Sequence, residues 1–139
     1  MNILVTGGTG FVGKPLVESL LSRGDTVTVL TRSIEKAQSI FPEKTPQFLT
    51  ALSTLKDLNE FDAVINLAGE PIFDKRWTLQ QKEKLRHSRI DLTQQLVQLI
   101  NQSEYPPALI SGSATGIYGN CGEDVITEDT NPSTQFTAQ

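Results

Sequence analysis

The chain has 139 residues, a formal net charge of −4, and is 37% hydrophobic and 20% charged. That size and balance describe one folded domain with a real core, exclude a disordered chain, and argue against a general nucleic-acid binder. One cysteine, Cys121, excludes an intrachain disulfide framework and fits a reducing compartment. The first residues lack the basic flank and apolar core of a signal peptide, and no apolar run approaches membrane-spanning length. A cytoplasmic protein with no membrane partner is expected.

The first apolar run, Ile3-Leu4-Val5, reads as a strand and enters the glycine-rich turn Thr6-Gly7-Gly8-Thr9-Gly10-Phe11-Val12-Gly13. An amphipathic segment carrying Val12, Leu16, Val17, Leu20 and Leu21 follows, and predicts a helix from about Phe11 to Arg23 with Gly24 as its stop. Strand, glycine turn and helix in this order are the setting of a dinucleotide-binding fingerprint. In that reading Gly7 and Gly8 allow the tight turn, Gly10 lets a pyrophosphate approach the backbone, and Gly13 brings the helix close to the strand. The helix N-terminus then faces the phosphates with free N–H groups and the positive end of its dipole.

The β-branched run Thr26-Val27-Thr28-Val29-Leu30 predicts a second strand, parallel to the first. Its C-terminal end selects the cofactor. A carboxylate there would accept hydrogen bonds from the ribose 2′-hydroxyl of NAD. The sequence has Thr31-Arg32-Ser33 instead, and Arg32 suits a 2′-phosphate, with Lys14 in support. NADP (NADPH) is therefore expected over NAD. Residues 33–46 predict a short helix and a loop broken by Pro42 and Pro46, and 47–50 a short third strand. Residues 51–61 give no clear signal.

The run from Asp62 to Gly69 predicts a buried parallel strand ending in small residues, which leave room for a ligand across the sheet edge. Thr78 and Gln81 form a capping-box signature, so a long helix is expected from there to about Ser103. Its apolar face is Leu85, Leu92, Leu96 and Leu99, flanked by Ile90, Val97 and Ile100, and Arg89 stands in the middle of it. Two accounts fit Arg89: a packed stem with a guanidinium reaching water, or a side chain facing the cofactor cleft. The basic residues between Lys75 and Arg89 could meet a phosphate-bearing ligand or serve as helix surface. His87 is the only histidine and no metal-ligand spacing exists, so no metal is expected. Ala108-Leu109-Ile110-Ser111 predicts the fifth strand, followed by the small-residue loop 112–119. Residues 120–139 read as polar and turn-like.

Thr6-Gly7-x-x-Gly10-x-x-Gly13, Asn66-Leu67-Ala68-Gly69 and the run from Ser111 to Gly119 stand in the order found in the extended short-chain dehydrogenase/reductases. The segments 66–72, 75–78, Ser88-Arg89 and 111–116 resemble more closely the atypical nucleoside-diphosphate-sugar epimerase branch of that superfamily. The resemblance implies an α/β Rossmann domain over residues 1–139 with a doubly wound parallel sheet of strand order 3-2-1-4-5. It implies an N-terminal fragment whose substrate domain lies beyond residue 139. It also implies a cofactor site made of Thr6, Gly7, Gly10, Phe11, Val12 and Gly13, with Arg32 at the 2′-phosphate and Leu67, Ala68 and Gly69 beside the adenosine. The substrate would be a small molecule, nucleotide-sugar-like compounds included, and Ser113 matches the serine that bonds the substrate oxygen undergoing redox.

Three departures accompany the match. Active relatives use a Tyr-x-x-x-Lys pair as acid/base, and where the tyrosine should fall the chain has Phe136. The serine loop is one residue longer, and Arg89 occupies the helix position of a structural asparagine. Two readings follow. One is an NADP-dependent epimerase or oxidoreductase in which Ser113 and Arg89 carry the catalytic work. The other is a non-catalytic NADP-binding sensor or scaffold.

Overall fold

The computed structural model describes residues 1–43, 45–72 and 74–134. Five strands, β1 (Asn2–Thr6), β2 (Thr26–Leu30), β3 (Gln47–Leu49), β4 (Ala63–Asn66) and β5 (Ala108–Ser111), form one sheet. Its order is β3-β2-β1-β4-β5, and every adjacent pair is parallel. Three α-helices connect them: α1 (Gly13–Arg23), α2 (Ile34–Ile40) and α3 (Leu79–Gln102). This is the strand order expected of the Rossmann-type domain.

Alternation along β1 divides the core in two. Ile3 and Val5 pack with Val17 and Leu20 of α1, Val27 and Val29 of β2, and Phe41. Leu4 points the other way, with Val64 of β4, Leu96 and Leu99 of α3, and Leu52, Leu58 and Phe61. The last three come from the segment whose periodicity gave no signal. It holds one 3₁₀ turn, Leu52–Thr54, and is fixed by anchors distant in sequence. The Leu58 N–H donates to Ser103 Oγ at 2.8 Å, and Asn59 Oδ1 accepts from the Tyr105 N–H at 2.9 Å.

Helix ends follow local chemistry, with two corrections. α1 starts at Gly13, two residues later than the apolar pattern indicated, because Phe11 and Val12 are still in the turn. Its N-cap, Val12, supplies no side-chain cap. Gly24 ends it in the left-handed region at φ 92°, returning its N–H to Leu21 O at 3.2 Å. At α3 only half of the capping box forms. Thr78 Oγ1 accepts the Gln81 N–H at 3.2 Å, but the Thr78 N–H donates to Arg76 O at 2.9 Å. On the apolar face of α3, Leu85, Leu96 and Leu99 are buried, whereas Val97 is exposed.

Candidate functional site

The C-terminal ends of β1, β2, β4 and β5 lie along one edge of the parallel sheet, the edge at which open α/β sheets bind ligands. At β1 the chain turns on Gly7, at φ 68°. The Gly10 N–H donates to Gly7 O at 3.0 Å, and the Lys14 N–H to Gly10 O at 2.9 Å. A Cβ on Gly7 would stand 2.7 Å from the Leu67 carbonyl, and one on Gly13 would stand 2.1 Å from Gly7 O. Gly13 thus lets the start of α1 close on the turn itself, beyond its expected approach to the strand. Gly8 has a different role from the turn role its position suggested. Its φ is not positive, and a Cβ there would meet Val29 Cγ1 at 2.9 Å and Val17 Cγ2 at 3.2 Å. It lets β2 and α1 pack against the loop.

Gly10 and Phe11 are exposed, Phe11 at 98%, and so is Val12. The first turn of α1 has no side-chain cap. Its Lys14 and Leu16 N–H groups go to Gly10 O and Val12 O and Pro15 has none, so the N–H groups left for a ligand are those of Phe11, Val12 and Gly13. Backbone fills the inner side of the turn and the outer side is open. That shape fits a pyrophosphate seated on the open side of Gly10 and the helix start, while a Cβ at Gly7 or Gly13 would strike backbone and force the turn apart.

Thr6, matched to the cofactor site, is completely buried. Its hydroxyl donates to Asn66 Oδ1 at 2.6 Å and accepts the Ala68 N–H at 3.2 Å. The Asn66 amide donates in turn to Thr93 Oγ1 at 3.0 Å and Ser111 Oγ at 3.2 Å. Thr6, Asn66 and Ser111 are register partners across β1, β4 and β5, so a polar row closes the sheet just beneath the cleft. Residue patterns taken one strand at a time did not single out this row. The available signal was a polar residue following an apolar run at the end of each of three strands, visible only once the strands are aligned.

Arg32 is exposed in the turn between β2 and α2. Thr31 and Ser33 hold that turn: the Thr31 N–H donates to Leu49 O at 2.9 Å, the Ser33 N–H to Thr31 Oγ1 at 3.3 Å, and Ser33 Oγ caps α2. Lys14 stands 3.7 Å from Glu18 on α1. Leu67, Ala68 and Gly69 form the wall after β4, in contact with the glycine turn through Leu67. Gly69 lies under the Arg89 guanidinium, whose Cζ would be 2.8 Å from a Cβ there. Arg89 Nη2 donates to Glu70 O at 3.1 Å and Nη1 to Leu85 O at 3.2 Å. Its charged end is committed to backbone carbonyls, and a guanidinium has N–H donors and no acceptor. Ser113 is exposed two residues beyond β5, where the Gly112 N–H extends the pairing to Asn66 O at 2.9 Å.

The family model for the NAD dependent epimerase/dehydratase family matches residues 3–139. The chain belongs to the NAD-dependent epimerase/dehydratase family. Within it, the chain is 39% identical to the chloroplastic SDR39U1 homolog of Arabidopsis thaliana, described as an epimerase family protein, over all of this chain and 42% of that protein. It is 38% identical to the epimerase family protein YfhF of Bacillus subtilis, over 96% of this chain and 44% of YfhF. The chain thus spans less than half the length of these two family members. The crystal structure of human SDR39U1 isoform 2 with NADPH superposes with a TM-score of 0.82 at 29% identity, over 99% of this chain and 45% of that one. A UDP-glucose 4-epimerase from Stenotrophomonas maltophila, solved with NAD and formylated UDP-arabinopyranose, shares the fold. Its TM-score is 0.78 at 20% identity, over 99% of this chain and 44% of that one.

Among the described residues no cluster of three or more His, Cys, Asp or Glu could hold a metal, and no helix is long and apolar enough to cross a membrane. Phe136, at the expected tyrosine position, lies outside the described residues.

Proposed function

We propose that residues 1–139 are the NADP-binding domain of an epimerase or oxidoreductase that acts on a sugar-like carbinol or carbonyl, with the substrate domain outside this stretch. The observation that carries this reading is the glycine cradle at the end of β1, paired with an arginine instead of a carboxylate after β2. Human SDR39U1 with NADPH supports the same choice, and the single cysteine suits a reducing, cytoplasmic setting. When bound, the cofactor supplies the hydride chemistry.

The protein's own residues bind and orient. Gly7, Gly10 and Gly13 let the backbone fold tightly into the cradle, and the backbone at Phe11 and Val12 meets the pyrophosphate. Arg32 pairs with the 2′-phosphate. Leu67, Ala68 and Gly69 border the adenosine, and Thr6 fixes that wall through the Ala68 N–H. Ser113 orients a substrate oxygen. Arg89 has no acceptor to take up a proton, and Phe136 stands where the tyrosine is expected. That replacement favours a second reading, an NADP-binding sensor or scaffold without turnover.

Calorimetric titration with NADPH and NADH tests the cofactor reading. NADPH should bind more tightly, and Arg32→Ala should remove most of the preference, about tenfold or more for one lost charge-assisted phosphate contact of roughly 1.5–3 kcal/mol. Equal affinities in the wild type would overturn the NADP assignment, and no binding of either would overturn the cofactor site.

A further inference from the structure

Two consecutive residues of α3 hold a single residue of the cleft wall, Glu70, through the peptides on both of its sides. The Glu70 N–H donates to Ser88 Oγ at 3.0 Å, and the Glu70 carbonyl accepts from Arg89 Nη2 at 3.1 Å. Both side chains are themselves braced on Leu85 O, Ser88 Oγ at 2.9 Å and Arg89 Nη1 at 3.2 Å. The guanidinium also covers Gly69. A Cβ there would stand 2.8 Å from Arg89 Cζ, 2.9 Å from Nη2 and 3.1 Å from Nε. Gly69 and Arg89 are therefore a matched pair: any larger residue at 69 displaces the guanidinium.

The other end of the same short loop is held by β1. The Ala68 N–H donates to Thr6 Oγ1 at 3.2 Å, and Gly7 packs on the Leu67 carbonyl with no room for a Cβ. The loop is irregular, and Gly69 within it is exposed. Left unpinned, a glycine here would sample many backbone states, each with a cost in ordering entropy when a ligand needs one of them. We propose that Ser88 and Arg89 are a positioning pair that pre-orders residues 68–70 as the adenosine wall of the cofactor cleft. This inference rests on the NADPH reading above. It assigns Arg89 to the backbone of the wall and not to the reacting atoms, and it explains why an arginine stands in the middle of an apolar helix face. The stem lies on the helix, and the planar fork reaches two carbonyls and stacks on a glycine, which a lysine cannot do.

The test combines NADPH calorimetry on the wild type, S88A, R89A, R89K and G69A with NMR amide exchange at Glu70 in the ligand-free protein. With the ordered wall populated about one-tenth of the time, apparent NADPH affinity falls about tenfold, and R89A should show that loss with its melting temperature nearly unchanged. R89K should recover only part of it. G69A should match R89A, and the double variant should lose no more than either single one, since the two act on one contact. Glu70 exchange should accelerate in S88A and R89A. Unchanged exchange would overturn the pin, and faster exchange with unchanged NADPH affinity would overturn its role in binding. Loss in R89A with G69A spared would overturn it too, by showing that Arg89 acts through its charge. Should G69A fail to fold, S88A and R89K carry the same comparison. A wild type that binds no NADPH would overturn the cofactor reading and this one together, whereas every other failure touches the pin alone.

Discussion

The glycines of this chain are not equivalent, and space decides what each is worth. Gly24 sits at φ 92° with nothing within 4 Å of a Cβ. Gly13 has no positive φ, but its Cβ would stand 2.1 Å from Gly7 O. Alanine at 24 therefore meets only the left-handed backbone penalty, about 1 kcal/mol. Alanine at 13 must push apart two backbone segments, at a cost on the order of 3 kcal/mol or more. Urea denaturation of Gly24→Ala and Gly13→Ala should show that ordering, and the reverse order would refute the packing account of Gly13. The spacing of the glycines was readable in the sequence because it is a one-dimensional pattern. Which wall each glycine faces was not, and Gly8 shows why: its neighbours, Val17 and Val29, come from an adjacent helix and an adjacent strand. The role of Asn66, named only as part of a motif, was hidden for the same reason, since its partners Thr6, Thr93 and Ser111 come from three other elements.

At the scale of elements, five strands and three helices could be placed from runs and periodicity, and apart from the starts of α1 and α3 the disagreement lies where a local pattern does not report burial. Val97 fits the helical stripe but is exposed, while residues 51–61 lack periodicity yet supply Leu52, Leu58 and Phe61 to the core. The corner joining β1, α1 and β2 rests on a small charged cluster. The Asp25 carboxylate accepts from Arg23 Nε at 2.6 Å and from the N-terminal ammonium at 3.0 Å. The Arg23 hydrogen bond first, and the ammonium second, hold its carboxyl below the ordinary value of 3.8. A carboxyl with a lowered folded-state pKa adds stability that is complete above the unfolded value and vanishes as pH falls through the folded one. Thermal melts should therefore show wild type above Asp25→Asn at pH 7, with the two curves converging below about pH 3.8 as the carboxylate is protonated. A constant gap down to pH 2 would mean that the corner is held by packing and not by charge.

Across the whole molecule, the two cores lie on opposite faces of one sheet, and β1 contributes to both through alternate residues, Ile3 and Val5 on one side and Leu4 on the other. The candidate site is built where strands from the middle of that sheet end, so a ligand there touches the segments whose order the global fold requires. β5 is the contrasting element: it has one strand neighbour, β4, and all four of its residues are exposed. Ligand binding at the β1 and β4 ends should consequently stabilise the entire cooperative unit, with no need for a separate local transition. At NADPH one hundred times its dissociation constant, mass action adds about 2.7 kcal/mol. For a domain of this size that corresponds to a rise in melting temperature on the order of 8 °C. Scanning calorimetry with and without NADPH should give one transition that moves as a whole. Two transitions, with only one displaced by NADPH, would mean that the β4–β5 side unfolds apart from the glycine-turn side, and the polar row through Asn66 would then not be what joins them.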